Sequence, residues 1–289
     1  MNNTTAPDFI LIGAGKTGST SLYQYFTDHP QICTPPQKEL YYFLPPDIRR
    51  KRRAWGALQT LEQYQQQFSH RQESQITVEL STIYYTNPHA AKLIYEYNPD
   101  IKLFMILRDP TQRAFSAFMM KVKQGIFDVA SMEEKLLDTN SLLVRSGFYH
   151  SQIQSFLAYF PRERFKIFFF EDFLKNKQLF YQGLSDYLGV EVSLPKQDYH
   201  ARKGGKPKNF ILHKMLTKNN PVRGAAASLL RLFVSEEKRR RLREKLIISN
   251  MGKAKLPSSL RSQLIEIYRD DITQLEHLLE VDLSAWKRV

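Results

Sequence analysis

A short segment near the start of the chain combines the residue types that bind anions. An apolar run ends at Gly13 and an apolar pattern with helical spacing begins at Leu22, so the sequence predicts a strand, a loop and a helix. Glycine lets a backbone turn tightly and approach a ligand. The first N–H groups of a helix lack partners within it and carry partial positive charge, which favours a bound phosphate. The glycines, lysine and hydroxyl residues of this loop are Gly13, Gly15, Lys16, Thr17, Gly18, Ser19, Thr20 and Ser21.

Two general nucleotide-binding patterns fit this loop imperfectly. A Walker A motif requires the lysine after the last glycine, whereas Lys16 precedes Gly18. The three glycines match a dinucleotide fingerprint literally, and Glu39 follows at about the required 20 residues. That acid should end a second strand, however, and Thr34-Pro-Pro-Gln is a poor strand end. A purely structural turn needs neither the lysine nor the hydroxyl groups.

A second candidate anion-binding segment follows a later apolar run. The run at 102–107 ends at Arg108, and Pro110 suits the first turn of a helix. Arg108 is therefore expected at the carboxyl end of a strand, where open α/β sheets bind ligands. Ser116 lies further along the predicted helix. A salt-bridged helix cap is the alternative interpretation of this segment.

Both segments resemble signatures of the sulfotransferases that use 3′-phosphoadenosine 5′-phosphosulfate (PAPS), of the bacterial and heparan-sulfate types. Lys16-Thr-Gly-Ser-Thr-Ser-Leu22 is similar at every position to their 5′-phosphosulfate loop, and the segment Leu-Arg-Asp-Pro-x-x-Arg-x-x-Ser that ends at Ser116 is similar to their second signature. The resemblance implies that Lys16 and the loop from Thr17 to Ser21 bind the 5′-phosphate, and that Lys16 is also catalytic, since it contacts the bridging oxygen where charge grows as the S–O bond breaks. It also implies that Arg108 and Ser116 bind the 3′-phosphate.

Two acidic residues come from segments that also resemble these enzymes. Gln37–Phe43 is similar to a Lys-Glu-x-x-(Tyr/Phe)-Phe segment, and the resemblance makes Glu39 the expected general base. Thr77–Tyr85 is similar to a Glu-x-Ser/Thr-Pro-x-Tyr segment, which provides Glu79 as a second acid that could share this catalytic role. This segment departs from the family pattern at Leu80, where the heparan enzymes have a lysine, and it lacks the proline.

The resemblance alone implies the remaining site residues. Tyr149 lies in a helix of the family pattern and is expected to bind the cofactor. A basic loop with Arg202, Lys203 and Gly204 is expected to close over the 3′-phosphate. No set of histidines or cysteines with ligand spacing occurs in the sequence, so no metal is expected.

The function that the resemblance implies is transfer of a sulfuryl group from PAPS to a hydroxyl, or an amine, of an acceptor, with release of 3′-phosphoadenosine 5′-phosphate (PAP). Because a cytoplasmic enzyme is expected, the expected acceptor is a small molecule. Sulfation of a glycan or a lipid is the alternative. Two other classes stay open. A phosphotransferase would need a Walker A motif and a Mg²⁺-binding aspartate, and a non-catalytic protein of this fold would bind polyanions. Neither nucleic acid nor stable membrane insertion is expected, and the sequence leaves the oligomeric state open.

Alternating strand and helix patterns predict one α/β domain over residues 1–289, with a P-loop-like parallel sheet flanked by helices. The C-terminal part, from about 210 to 289, is expected to be mostly helical, and the segment at 44–70 is an expected insertion on the acceptor side. Strands are predicted at 8–13, 31–34, 75–80, 102–107 and 165–170. Helices are predicted at 19–28, 59–68, 88–97, 111–123, 132–138 and 149–159.

The chain is strongly basic, with a formal net charge of +13, and such an excess attracts acidic ligands. The charge is concentrated at 49–53 and from Arg231 to Lys255, where apolar residues predict an amphipathic helix pair. Packing on the core with a solvated face is the favoured role of this pair, and binding of an anionic acceptor, a partner or a membrane surface is the alternative. No apolar run reaches the roughly 18 residues of a membrane span, and the N-terminus lacks a signal-peptide pattern. With Cys33 as the single cysteine, these features predict a bacterial cytoplasmic enzyme.

Overall fold

A five-stranded parallel sheet forms the centre of the computed structural model, which describes residues 6–194, 205–217 and 235–289. The strands are β1 Phe9–Gly13, β2 Ile32–Cys33, β3 Ile76–Leu80, β4 Lys102–Leu107 and β5 Phe165–Phe169. They lie in the order β2-β3-β1-β4-β5, and each neighbouring pair is parallel. Strand β1 therefore lies between β3 and β4, although it precedes both in the chain.

Helices make up most of the remaining described chain. The α-helices are α1 Ser19–Thr27, α2 Pro46–Lys51, α3 Leu61–Gln66, α4 Ala90–Tyr97, α5 Pro110–Lys123, α6 Met132–Leu137, α7 Leu142–Arg145, α8 Tyr149–Leu157, α9 Phe170–Lys175, α10 Lys177–Leu188, α11 Phe210–Thr217, α12 Glu236–Ser249 and α13 Ser258–Leu279. Short 3₁₀ turns lie at Arg53–Trp55, Tyr84–Thr86, Val129–Ser131, Arg162–Arg164 and Ser284–Lys287.

The apolar composition of β1 explains its central place in the sheet. All five of its residues are buried, as expected for a parallel strand that is covered on both faces. Leu11 of β1 and Phe104 of β4 lie in one buried cluster with Phe26 of α1 and Leu184 of α10. This packing fixes the carboxyl ends of the central strands, from which the candidate site is built.

The chain divides into two compact units. The first comprises residues 1–109, 148–201 and 270–283, and the second comprises 110–147, 202–269 and 284–289, so far as these are described. The first unit contains the whole sheet. In the second unit, Arg261 donates a hydrogen bond of 2.6 Å to the hydroxyl of Thr111, and Tyr268 donates one of 2.9 Å to the carbonyl of Val144. These bonds attach α13 to α5 and α7.

The observed elements agree closely with the sequence predictions. Every predicted strand is present and ends within one residue of its predicted bounds. The six predicted helices are present within two residues. The expected insertion at 44–70 contains α2, a 3₁₀ turn and α3. The predicted α/β class with a mostly helical C-terminal part is confirmed.

The core-packing role predicted for the basic region between 231 and 255 is wrong for its described part. Helix α12 has no buried residue, and Leu242, Leu246 and Ile248 are exposed. Lysine and arginine occupy six of its 14 positions. The apolar side chains therefore form a stripe that is too narrow to cover a core. Residues 231–234 lie outside the described chain.

Candidate active site

The strand order places the candidate site at the point where the sheet reverses its direction of winding. From β1 the chain runs to β2 and β3 on one side of β1, and it then passes β1 to form β4 and β5 on the other side. In open α/β sheets a crevice forms outside the carboxyl ends of the strands at such a point. The loop after Gly13, the turn after Leu80 and the turn after Leu107 all start at this edge of the first unit.

The loop between β1 and α1 has the conformation of an anion cradle. Lys16 and Gly18 both have left-handed backbone angles, with φ of 80° and 82°. The hydroxyl of Thr17 donates a 2.7 Å hydrogen bond to the carbonyl of Ala14, which closes the loop on itself. Helix α1 starts at Ser19 with no acidic residue in its first turn. Its N-terminus therefore keeps the positive potential that attracts a phosphate.

Gly13 is required by a close approach between the loop and an aromatic ring. A Cβ atom at this position would lie 2.5 Å from Cδ1 of Tyr85. A side chain at position 13 would therefore force the ring, or the end of β1, to move. Tyr85 itself is buried in the 3₁₀ turn that follows β3.

Arg108 is held in place by contacts with this loop, with the ring of Phe170 and with Tyr149. Its Nη1 donates a 3.0 Å hydrogen bond to the carbonyl of Lys16, and its guanidinium lies 4.9 Å from the ring centroid of Phe170. The carbonyl of Arg108 accepts a 2.8 Å bond from the hydroxyl of Tyr149. Tyr149 is fully buried. Its observed contact is therefore with the main chain that positions Arg108.

The start of α8, which carries Tyr149, is fixed by a buried carboxylate. Asp271 of α13 accepts hydrogen bonds from the backbone N–H groups of Tyr149 and His150, the first at 2.8 Å. Burial raises the pKa of Asp271 to about 6, although these two bonds act in the opposite direction. Asp271 thus supplies the cap that Phe148, the residue before the helix, does not provide.

Glu39 lies against the turn that follows β3. Its backbone N–H donates to the carbonyl of Leu80 at 3.0 Å, in a left-handed conformation with φ of 62°. Its carboxylate accepts bonds from the N–H and the hydroxyl of Thr82, at 2.9 and 2.8 Å. A Cβ atom on Gly15 would lie 3.8 Å from the same Thr82 hydroxyl. Thr82 therefore lies beside both the anion loop and Glu39.

Lys38 lies beside the anion loop and Glu39, although the sequence analysis did not assign it to the site. Its Nζ lies 2.9 Å from the hydroxyl of Ser19 and 3.5 Å from the Glu39 carboxylate. Burial lowers the pKa of Lys38, while Glu39 acts to raise it. The signal available in the sequence was the lysine directly before the acid. It was missed because only the folded chain brings Ser19 to this ammonium group.

Glu79 occupies a different environment from Glu39. It is completely buried, and its carboxylate accepts hydrogen bonds from the hydroxyls of Tyr64, Ser81 and Tyr84, at 2.6, 2.6 and 2.8 Å. Burial raises the pKa of Glu79, and the bonds from Ser81, Tyr64 and Tyr84 oppose this increase. The hydroxyls of Ser81 and Tyr84 also accept bonds from backbone N–H groups of the segment that follows Glu39. Glu79 is thus the centre of a network that supports this segment.

The other predicted site residues are distributed unevenly. Ser19 and Ser21 are buried at the start of α1, whereas Thr20 is exposed. Ser116 is partly exposed on α5, in the second unit. The predicted basic loop of Arg202, Lys203 and Gly204 lies outside the described residues.

The first unit therefore places two kinds of chemistry at one edge of its sheet. The loop, Lys16 and Arg108 provide hydrogen-bond donors and positive charge for a phosphate-bearing ligand. The half-buried carboxylate of Glu39, with Lys38 beside it, can accept a proton from a group bound at the same edge. Between them, Lys38 contacts a residue of each set.

A family model described as a sulfotransferase domain matches residues 6–275. The chain belongs to the sulfotransferase family. This result confirms the family resemblance of the sequence motifs and the enzyme class that they imply.

The sulfotransferases that this chain resembles include enzymes of heparan sulfate. It is 29% identical over 171 residues to mouse heparan sulfate glucosamine 3-O-sulfotransferase 5, which covers 56% of this chain and 47% of the mouse protein. It is 30% identical over 186 residues to bifunctional heparan sulfate N-deacetylase/N-sulfotransferase 1 of Caenorhabditis elegans, which covers 59% of this chain and 20% of that protein. The match thus spans less than half the length of either relative.

A solved structure shows the same fold over the whole length of the chain. The crystal structure of a sulfotransferase from Alicyclobacillus acidocaldarius superposes with a TM-score of 0.69 at 24% identity, and the match covers 98% of this chain and 99% of that one. Among helices of the described ranges, none is both long and apolar enough to cross a membrane. The same ranges contain no group of three or more His, Cys, Asp or Glu side chains placed to bind a metal ion.

Proposed function

We propose that this sulfotransferase transfers a sulfuryl group from PAPS to a hydroxyl, or an amine, of a small-molecule acceptor. The observation that carries the proposal is the position of Lys38, whose Nζ lies 2.9 Å from Ser19 of the anion loop and 3.5 Å from the carboxylate of Glu39. An anion-binding loop and a carboxylate base are therefore adjacent. Transfer of a charged group between two oxygens requires both.

The residues of the loop fit a 5′-phosphosulfate by their shape and charge. Gly18 precedes α1 in a left-handed conformation, and the first turn of the helix carries no acidic side chain that would repel an anion. In the proposed complex, Lys16 and residues Thr17 to Ser21 hold the 5′-phosphate. Arg108 and Ser116 hold the 3′-phosphate, together with Arg202, Lys203 and Gly204. Bound PAPS supplies the sulfuryl group.

The proposed role of each residue follows from the charge or proton that it faces during the transfer. Lys16 neutralises negative charge that grows on the departing phosphate oxygen, because a preformed positive group is most effective where charge develops. Glu39 accepts the proton of the acceptor hydroxyl, while the acceptor oxygen forms its new bond to sulfur. Lys38 holds Glu39 against Thr82 and the loop. Tyr149 and Asp271 position the main chain of Arg108.

The class of the acceptor is part of this proposal. A glycan acceptor is the competing candidate, because the matched relatives are named for heparan sulfate. Leu80 argues against it, since the heparan enzymes have a lysine at that position. The cytoplasmic location, the bacterial origin and the single-domain organisation likewise remain predictions.

The test compares PAP, which carries one phosphate on each of its 3′ and 5′ positions, with ATP, which carries three phosphates on the 5′ position and none on the 3′ position. PAP should raise the thermal stability of the protein, by about 2.7 kcal/mol in free energy of unfolding when its concentration is about 100 times its Kd. ATP at the same concentration should have little effect. Arg108→Ala should reduce the PAP effect and raise KM for PAPS more than it lowers kcat, since the 3′-phosphate does not react. Equal stabilisation by ATP and PAP would contradict the proposal.

A further inference from the structure

A turn on the surface of the first unit presents an arginine beside aromatic rings. It follows α2 and consists of residues 52–55, which we call the arginine–tryptophan turn. The indole of Trp55 is 68% exposed, although tryptophan is usually well buried. The turn lies in the 44–70 segment, outside the anion loop and the Lys38–Glu39 pair.

Arg52 contacts two aromatic rings, and it has no polar side-chain partner among the residues that the structure describes. Its guanidinium carbon lies 5.2 Å from the ring centroid of Trp55 and 5.4 Å from that of Tyr41, within the range of a cation–π interaction. Within the described residues, the guanidinium forms no hydrogen bond and no ion pair. Its planar group is therefore oriented by the rings, while its five N–H donors stay available for a ligand.

The arginine–tryptophan turn is anchored to the segment that carries Glu39. The side-chain amide of Gln37 donates a 2.6 Å hydrogen bond to the carbonyl of Gly56 and a 3.4 Å bond to that of Glu39. Gly56 has a φ of 88°, and a Cβ atom there would lie 2.9 Å from the Gln37 amide. This glycine thus permits both the turn and its contact with Gln37.

Tyr41 connects the turn to the carboxylate. It lies two residues after Glu39, and burial raises the pKa of its hydroxyl, with a further increase from the negative charge of Glu39 and a decrease from Arg52. The charges of Glu39 and Arg52 therefore both act on the hydroxyl of Tyr41. Tyr41 thus links Arg52, whose guanidinium carbon lies 5.4 Å from its ring centroid, to the chain segment that carries the base of the proposed reaction.

The charge around the turn is uniformly positive. Positions 49 to 53 are all arginine or lysine, and Asp47 is the one acidic residue between positions 44 and 61. An acidic group is attracted here, and the arginine side chain can hold it with two parallel hydrogen bonds. The exposed indole adds a flat face on which a ring can stack.

From this arrangement we infer that the arginine–tryptophan turn is an acceptor subsite for compounds that carry both a ring and an acidic group. Arg52 binds the acidic group, Trp55 stacks on the ring, and the hydroxyl to be sulfated points to Glu39. The inference rests on the proposed function for the role of Glu39 as the base that accepts the acceptor proton. The subsite itself can be tested by binding alone.

The experiment measures binding of matched acid and neutral probes by saturation-transfer NMR, with and without PAP. The first pair is 4-hydroxybenzoate and its methyl ester, and the second is methyl glucuronide and methyl glucoside. In at least one pair the acid should bind about tenfold more tightly than its neutral partner, the scale of one hydrogen bond to a charged group. The pair that shows this difference tells whether the acceptor that the subsite prefers carries an aryl ring or a sugar ring.

Variants separate a built subsite from general attraction to a basic surface. Arg52→Gln should abolish the preference for the acid, and Trp55→Ala should weaken both members of the pair, whereas Trp55→Phe should keep most of the binding. Arg53→Gln removes the same charge one position away, from an exposed side chain without a ring contact, and should preserve the preference. Thermal unfolding of each variant verifies that it is folded.

The outcomes distinguish this inference from the proposed function. If neither acid is preferred, or if Arg53→Gln abolishes the preference as fully as Arg52→Gln, the subsite is refuted, even where PAP binds normally. If PAP does not bind but the acid preference depends on Arg52, the subsite stands and the proposed sulfuryl transfer fails. Preference for an acid that is lost in Arg52→Gln and kept in Arg53→Gln, together with weaker binding of both the acid and its neutral partner in Trp55→Ala, establishes the subsite.

Discussion

Glu39 and Glu79 lie at the same edge of one sheet and differ in almost every contact. Glu79 is fully buried, and its two oxygens accept bonds from three hydroxyl groups. The Glu39 side chain keeps a fifth of its surface exposed and accepts bonds from Thr82, with a lysine 3.5 Å away. The carboxylate of Glu79 is therefore shielded from solvent, whereas that of Glu39 is partly accessible to it.

The difference shows how surroundings separate a supporting carboxylate from a reactive one. A general base needs a free approach to the proton that it removes. Tyr64, Ser81 and Tyr84 surround the carboxylate of Glu79 and deny that approach, while they fix the segment around Glu39. The sequence made Glu39 the expected base but left open whether Glu79 shares that role, since both acids lie in segments that resemble family motifs.

The largest effect should come from Glu39→Gln. The substitution keeps the shape of the side chain and removes its ability to take a proton, so kcat on a hydroxyl acceptor should fall about 10²- to 10⁴-fold. PAP affinity, measured by calorimetry, should stay near that of the unchanged protein. If the variant turns over a hydroxyl acceptor at the original rate, the assignment of Glu39 is wrong.

A smaller loss of activity should follow from Lys38→Met. This change removes the contacts of Nζ with Ser19 and Glu39 and leaves both groups in place, so kcat should fall about tenfold, the scale of one charge-assisted hydrogen bond. Steady-state kinetics with saturating PAPS measures it. Lys92→Met is the control, because Lys92 is an exposed lysine paired with Glu96 on α4. An equal loss in both variants would show that Lys38 has no specific role.

Glu79→Gln should affect stability more than chemistry. An amide carries one oxygen, so at least one of the three hydroxyl donors loses its acceptor, and the free energy of unfolding should fall by about 1–3 kcal/mol. Urea denaturation measures the change, with Glu39→Gln as the less affected comparison. A folded Glu79→Gln protein with kcat reduced a hundredfold would exchange the roles of the two acids.

The smallest effect is the pH dependence of that stability difference. Because burial raises the pKa of Glu79 above its ordinary value of 4.5, the folded chain binds the proton more tightly than the unfolded chain. The stabilising contribution is therefore complete below about pH 4.5 and is lost as the pH rises through the folded-state pKa. The stability advantage of the unchanged protein over Glu79→Gln should decrease over that interval in denaturation curves. A constant difference would show that the hydroxyl bonds cancel the effect of burial.

The parts of the fold that depend on local pattern could be predicted from sequence. The strands were recognised because buried parallel strands are continuous apolar runs, and the anion loop because its glycines and lysine lie together in the chain. Contacts between distant segments could not be predicted. Tyr64 reaches Glu79 from α3, and Ser19 reaches Lys38 across 19 residues. The exposure of α12 was also missed, since the spacing of its leucines suggests a buried stripe that its charges prevent.

The contact between Gly13 and Tyr85 has a consequence for how related sequences can diverge. The ring of Tyr85 occupies the space that a side chain at position 13 would need, because a Cβ atom at position 13 would lie 2.5 Å from the ring. A substitution at position 13 should therefore be accepted in evolution only together with a substitution at position 85. Among homologous chains, any that carries a side chain at the first position should carry a smaller residue than tyrosine at the second. Such paired replacements in an alignment would reveal this contact without any structure.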